Sequence, residues 1–147
     1  MASPPPRSSA ASRFFFVFLI GLFVGIVGVV MVLRALEGRK TWEDRFPEAA
    51  MAVMSAHVAQ LQASVKNNRC GASDVIPHMQ TLRLLANDVE PAFPGLRDDE
   101  RFVQHAGQLR ATLDGVLSAP PLACAGTEAA LKQINEDCTA CHQEFRG

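Results

Sequence analysis

The residues with the clearest chemical potential lie near the C-terminus, where Cys138 and Cys141 are separated by two residues and followed at once by His142. Two thiols at this spacing can add across the two vinyl groups of a haem, and the adjacent imidazole can then reach the iron as an axial ligand. The pattern therefore predicts one covalently attached haem c, held by Cys138 and Cys141 and ligated by His142.

Two other chemistries use a Cys-x-x-Cys pair. A thiol–disulfide redox pair usually accompanies a βαβ pattern, which this sequence lacks. A zinc site needs four ligands, and no second Cys-x-x-Cys or His pair follows at the usual spacing. Haem attachment is therefore the interpretation that the sequence favours.

The motif lies in the last of four segments whose apolar residues recur every three or four positions, as on the inner faces of bundled helices. These residues are Met51, Met54, Val58, Leu61 and Val65 in the first segment, Val75, Met79, Leu82, Ala86 and Val89 in the second, Phe102, Ala106, Leu109, Leu113 and Val116 in the third, and Leu131, Ile134, Cys138, Cys141 and Phe145 in the fourth. Short connections rich in Asn, Gly and Pro separate the segments. The sequence therefore predicts an all-α, up-down-up-down four-helix bundle.

Helix start signals accompany the four segments. Thr41 is a candidate N-cap of the first helix, and Thr127 is a candidate N-cap of the fourth. The second helix is expected to open after Ser73, with Pro77 tolerated in its first turn. The acidic run at residues 98–100 suits the N-terminus of the third helix.

An apolar run precedes the predicted bundle. Residues 14–33 contain no charged side chain, and a helix of about 20 residues spans the roughly 30 Å of a bilayer core. A cleaved signal peptide is the alternative, but the run is longer than a typical signal core, and no clear Ala-x-Ala site follows it. We therefore predict a disordered tail at residues 1–13, a transmembrane anchor at 14–36 and a haem domain at 37–147.

Charge is distributed unevenly between the anchor and the predicted bundle. Residues 41–147 carry 9 Lys and Arg against 14 Asp and Glu, a net charge of −5, whereas residues 1–40 carry 5 against 1, a net charge of +4. An acidic domain without a basic stripe argues against nucleic-acid binding and leaves room for basic protein partners. Gly21 and Gly25 form a Gly-x-x-x-Gly pair, which makes a homodimer through the anchor possible.

Basic residues flank both ends of the apolar run, so the positive-inside rule does not orient it. Covalent haem attachment in bacteria takes place outside the cytoplasmic membrane. The motif therefore predicts a single-pass protein of the inner membrane whose haem domain faces the periplasm.

The two remaining cysteines, Cys70 and Cys124, lie in the first-to-second and third-to-fourth connections. In an antiparallel bundle these connections share the end away from the haem motif, and an oxidising compartment favours disulfides. We therefore predict a Cys70–Cys124 disulfide, with two free loop thiols as the alternative.

Together, the four-helix pattern and the ending Cys-x-x-Cys-His-x-x-Phe145-Arg146 resemble class II cytochromes c, the cytochrome c prime family, over residues 41–147. Members of that family also carry a loop rich in Pro, Gly and aromatic residues between the second and third helices, to which Pro91–Leu96 is similar. The chain departs from the family in its N-terminal anchor. It also has Pro47 where the family often places a basic residue near the haem propionates.

The resemblance implies a position for a sixth iron ligand. The six-coordinate branch of the family carries a Met six residues before a frequent His, which corresponds here to Met51 and His57. In the predicted topology the start of the first helix and the end of the fourth lie at the same end of the bundle. Met54, one turn further along, and an open sixth position are the alternatives. An open position would favour a protein that binds NO or CO, as cytochromes c prime do.

The expected function is one-electron transfer with periplasmic or membrane-bound redox proteins. No nucleophile–base pair or phosphate-binding loop indicates an enzyme. His57, His78 and His105 have no second ligand at metal spacing, and they are expected to be surface or satisfied helix residues.

Overall fold

The computed structural model describes residues 10–145 and shows only helices and their connections within that range. Chain contacts divide into two compact units, Met1–Thr41 and Trp42–Gly147. The helices are α1 (Ala10–Glu37), α2 (Trp42–Lys66), α3 (Ala72–Leu85), α4 (Val89–Ala92), α5 (Glu100–Ser118) and α6 (Cys124–Phe145), with a 3₁₀ turn at Pro94–Leu96. The predicted all-α fold is confirmed.

The first unit consists of α1, whose segment Ser12–Glu37 is long and apolar enough to cross a membrane and contains an 18-residue stretch with a mean hydropathy of 3.0. The helix begins at Ala10, so residues 10–13, which we expected in the disordered tail, are helical instead. Alanine is the best helix former, and these residues extend the helix beyond its apolar run. The rest of the predicted tail, residues 1–9, lies outside the described residues.

The second unit is a four-helix bundle in which α2 and α5 each pack against both α3 and α6. Apolar side chains from all four helices fill the centre, and the most deeply buried are Leu61, Val75, Met79, Leu82, Leu113 and Ile134. Each of them comes from the periodic positions of the sequence. Burying one such side chain stabilises the fold by about 1.5–3 kcal/mol, so the periodic stripes account for the bundle.

The first helix of the bundle starts directly after Thr41, the residue predicted to cap it. It ends at Lys66, and the backbone then turns at Asn68, whose φ is 55°. Asparagine is one of the few residues other than glycine that adopts this left-handed conformation readily. The turn closes with a hydrogen bond from the Arg69 amide to the Ser64 carbonyl, 2.8 Å long.

The second predicted helix differs from expectation at both ends. It begins at Ala72, so Pro77 is its sixth residue and lies in the second turn rather than the first. It ends at Leu85 instead of continuing to Val89. A continuous helix would press the ring of Pro91 against the carbonyl four residues earlier. The chain therefore breaks at Ala86 and restarts as α4, where Pro91 occupies the first turn.

We predicted the start signals of α5 and α6, and the prediction is confirmed for α5 and wrong for α6. The acidic run does open α5, because the Asp99 side chain accepts hydrogen bonds from the amides of Arg101 and Phe102 at 2.9 and 3.3 Å. Thr127 does not cap α6, which begins three residues earlier at Cys124. Instead Thr127 is fully buried, and its hydroxyl donates to the Ala123 carbonyl.

A disulfide joins Cys70, in the α2–α3 connection, to Cys124 at the start of α6. The structure thus contains the pairing that we predicted from the topology. The bridge spans 54 residues of sequence. A covalent loop of that length restricts the unfolded chain and stabilises the fold by about 4 kcal/mol in the chain-entropy account.

Candidate cofactor-binding site

The two motif cysteines lie on the inner face of α6, one and two turns beyond the buried Ile134. Cys138 and Cys141 are separated by three positions, so they occupy the same face of the helix. Both are half-buried and carry free thiols. Together with His142, they line a cavity of about 190 Å³ inside the bundle, which we call the inner cavity.

The walls of the inner cavity are predominantly apolar. Aliphatic side chains from every long helix of the bundle contribute to it, namely Val58, Leu82, Ala106, Leu109 and Ile134. Such a lining excludes water and lowers the local dielectric, as in most small-molecule and cofactor sites, which place a few polar groups in an apolar cleft. The site thus combines the two thiols and the imidazole of the motif with an apolar surface.

Both candidate methionines of α2 line the inner cavity, Met51 half-buried and Met54 buried. A second cavity of about 470 Å³, the outer cavity, lies beside it and is lined by Met51, Cys141 and His142 but not by Met54. Met51 and His142 therefore border the same two spaces, whereas Met54 borders only one of them. The structure brings the thioether of Met51 to the part of the bundle where His142 lies.

The outer cavity is partly covered by the connection between α4 and α5. Phe93 and Leu96 line it, and the Phe93 ring meets Phe102 edge-on with centroids 5.8 Å apart. Pro47 also lines this cavity, and its described lining includes no Lys or Arg side chain. Pro47 stands where the family often has a basic residue, and no other described basic side chain takes that role in the outer cavity. Arg146 lies outside the described residues.

Burial raises the pKa of the Cys138 thiol, and the neighbouring charges of Asp137 and Cys141 raise it further. Burial also raises the pKa of the Cys141 thiol, with a smaller contribution from Glu144. Both thiols are therefore protonated at neutral pH. A redox-active Cys-x-x-Cys pair needs a lowered pKa to produce a thiolate, so these cysteines lack the activation of a thiol–disulfide enzyme.

The side chain of Asp137 contributes a negative group to the inner cavity. Its Oδ2 atom is buried and accepts no hydrogen bond within the part of the chain that the structure describes. A buried carboxylate oxygen without a partner is costly. Its charge makes the cavity more favourable for a group that carries positive charge.

A polar and aromatic cluster, which the sequence did not indicate, fixes the end of α6 against α5. The Nε2 atom of His105, which also lines the inner cavity, lies 2.9 Å from the Glu144 carboxylate, and Arg101 pairs with the same carboxylate. The Phe145 ring meets Phe102 edge-on at 5.4 Å. His105 and Glu144 are 39 residues apart, so no local pattern connects them.

A zinc site at the Cys-x-x-Cys pair is not supported by the side chains around it. Within residues 10–145, no group of three or more His, Cys, Asp and Glu side chains is placed to hold a metal ion. The Cys-x-x-Cys pair therefore does not meet the further protein ligands that a structural zinc site requires.

Comparisons of this chain with protein-family models, with curated proteins and with solved structures each found no match. The resemblance to class II cytochromes c accordingly stays a prediction from the motif and the helix pattern. What the chain does must be inferred from the chemistry of its own residues.

Proposed function

We propose that this chain is a membrane-anchored c-type cytochrome that transfers single electrons. In this proposal Cys138 and Cys141 would hold one haem covalently, and His142 and Met51 would ligate its iron. The alternative is a five-coordinate iron that binds NO or CO.

One observation carries the proposal. The two thiols of the Cys-x-x-Cys-His motif, the adjacent imidazole and the Met51 thioether all border the same apolar cavity of the bundle. This donor set fits a c-type haem, which needs two thiols on one helix face, an adjacent histidine and an apolar surrounding. A purely structural role for the cysteines would not need an imidazole and a thioether beside them.

The roles of the individual residues follow from their chemistry. Each thiol S–H would add across one vinyl C=C, so that a C–S bond forms and the hydrogen goes to the neighbouring carbon. The neutral thiols described above are the form that carries this hydrogen. When bound, haem supplies an iron that accepts and releases one electron. The Met51 thioether would favour the reduced iron, and the apolar walls would keep water away from it.

The anchor completes the proposal. The segment Ser12–Glu37 has the length and hydropathy of a single membrane span, and we propose that it holds the bundle at the periplasmic face of the inner membrane. Confinement to two dimensions would concentrate the carrier near membrane-bound redox proteins. The net charge of −5 on residues 41–147 favours partners with a basic docking face.

The proposal is tested by haem staining of denaturing gels, with protein from cells able to mature c-type cytochromes. Wild type should give a peroxidase-active band, and C138S/C141S should give none, because covalent attachment survives denaturation only through the two thioether bonds. C70S/C124S is the matched control: it also removes two cysteines, but at the disulfide, and should keep the stain. A colourless wild-type band would refute the proposal.

The alternative with an open sixth position is distinguished by optical spectra of the reduced protein with and without CO. A thioether ligand makes the iron low-spin and slows CO binding, whereas an open position gives a high-spin spectrum and rapid CO binding. If the wild-type protein is high-spin, the proposed haem attachment still holds, but the proposed function changes from electron transfer to gas binding.

A further inference from the structure

Two histidines meet on the bundle at a place separate from the cofactor site. His57 of α2 and His78 of α3 are both half-buried, and their Nδ1 atoms are 2.9 Å apart. The ring centroids are separated by 5.1 Å at an interplanar angle of 54°. Neither residue lines the inner or the outer cavity.

The short contact has a definite chemical meaning. Two neutral imidazoles can approach this closely only if one ring donates from Nδ1–H and the other accepts at its Nδ1 lone pair. With both protons on Nε2 instead, the two Nδ1 lone pairs would repel each other unless a cation lay between them. The pair therefore holds either a shared proton or a metal ion.

The nitrogen separation favours a particular coordination geometry. With metal–nitrogen bonds of about 2.0–2.1 Å, two nitrogens 2.9 Å apart subtend an angle of about 90° at the metal. That is the angle between neighbouring ligands in square-planar and octahedral complexes, whereas a tetrahedral ion would need a separation of about 3.3 Å. The distance thus suits Cu²⁺ or Ni²⁺ better than Zn²⁺, and the Irving–Williams order places Cu²⁺ highest.

The surrounding structure holds the two rings in place. His57 lies one turn before the fully buried Leu61, and His78 precedes the fully buried Met79. The connection between the two helices is closed by the left-handed Asn68 and, at Cys70, by the disulfide. Two ligands on packed helices lose little freedom on binding, so the pair is preorganised for chelation.

No acidic side chain is bonded to either ring in the described contacts. Asp74, one helical turn before His78, pairs with Arg69 at 2.8 Å. The imidazoles interact with each other, and both Nδ1 atoms become available once each ring carries its proton on Nε2.

We propose that His57 and His78 form a two-histidine chelate for a divalent copper ion, bound through both Nδ1 atoms in neighbouring positions, with the remaining positions open to water or a further ligand. The site is independent of the haem proposal, because none of the residues proposed to hold the haem belongs to it. It would let the chain carry a redox-active metal at the α2–α3 contact.

The test is equilibrium dialysis of the full, detergent-solubilised chain against CuCl₂ in a buffer that does not coordinate copper, with copper content measured per chain. Wild type should bind one more equivalent than H57Q or H78Q. Loss of a direct ligand should weaken copper binding by at least about tenfold. Mutating a residue that only hydrogen-bonds to a metal ligand already lowers the affinity by about tenfold or more. The electron paramagnetic resonance spectrum of this extra copper should show hyperfine coupling to two nitrogens.

H105Q is the matched control, since it removes one histidine of the bundle that belongs to neither helix of the pair. It should keep the extra equivalent. Copper bound elsewhere, including at any free thiols, contributes equally to wild type, H57Q, H78Q and H105Q. It therefore cancels when the copper content of a variant is subtracted from that of wild type. Equal copper content in wild type, H57Q and H78Q would overturn the proposal and leave the pair as a proton-sharing contact. A paramagnetic resonance spectrum without coupling to two nitrogens would overturn it as well.

Discussion

The two ends of the bundle differ in how they are completed. At the end where α2 leads into α3, the Cys70–Cys124 disulfide closes the structure, and Leu61 and Val75 are fully buried beneath it. At the other end, the inner and outer cavities separate the helices, and Cys138 and Cys141 remain half-buried with free thiols.

The difference shows how a small bundle can accommodate an unfilled region. A cavity inside a helical bundle costs dispersion contacts and stability. The disulfide and the fully buried side chains at the first end offset that cost, so the second end can stay open for a ligand. The comparison predicts that changes at the closed end alter stability, whereas changes at the open end alter ligand chemistry.

The largest expected effect is the loss of unfolding free energy when the disulfide is removed. C70S/C124S should lower the free energy of unfolding by about 4 kcal/mol, since the covalent loop no longer restricts the unfolded chain. Denaturant unfolding followed by circular dichroism measures this loss. An unchanged unfolding midpoint would mean that the closed end does not stabilise the bundle.

The next largest loss of unfolding free energy should come from shortening a buried side chain at the closed end. L61A removes a fully buried side chain and should cost about 2–5 kcal/mol, because neighbouring helices cannot close the space it leaves. V53A, on the same helix at 44% exposure, is the matched control and should stay within about 0.5 kcal/mol of wild type. Similar losses for both variants would contradict the assigned core.

At the open end, M51L should change the unfolding free energy by less than about 1.5 kcal/mol, because the volume is nearly conserved. Its optical spectrum should nevertheless change from low-spin to high-spin, with rapid CO binding and a lower reduction potential, because the thioether that favours Fe(II) is gone. M54L, one turn away, should leave the spectrum unchanged. A spectral change in M54L alone would assign the ligand to Met54.

The smallest expected effect concerns the Cys138 thiol before any cofactor is attached. Asp137 raises its pKa, so D137N should lower that pKa and make alkylation by iodoacetamide half-maximal at a lower pH. Because burial is the larger cause, the pKa should remain above that of a free cysteine. E136Q, at the neighbouring and more exposed position, is the control. An unchanged pH profile in D137N would show that the carboxylate does not act on the thiol.

The features that depend on local pattern could be predicted from the order of the residues alone. The three- and four-residue spacing of apolar side chains indicated four helices, because a helix face repeats at 3.6 residues. The apolar run indicated α1, and the Cys-x-x-Cys-His motif indicated the candidate site. The Cys70–Cys124 pairing could also be predicted, because short connections in an antiparallel bundle bring those two residues to the same end, although free thiols were the alternative.

The other features required the packed helices, because contacts between helices depend on how each helix rotates and where it ends. It separated Met51 from Met54 by the cavities that each one lines. It buried Thr127 inside α6 instead of leaving it as a cap. It also brought together His57 and His78, 21 residues apart, which the sequence had indicated only as separate surface or satisfied residues. No periodicity encodes such a pairing, since it follows from two helices packing side by side.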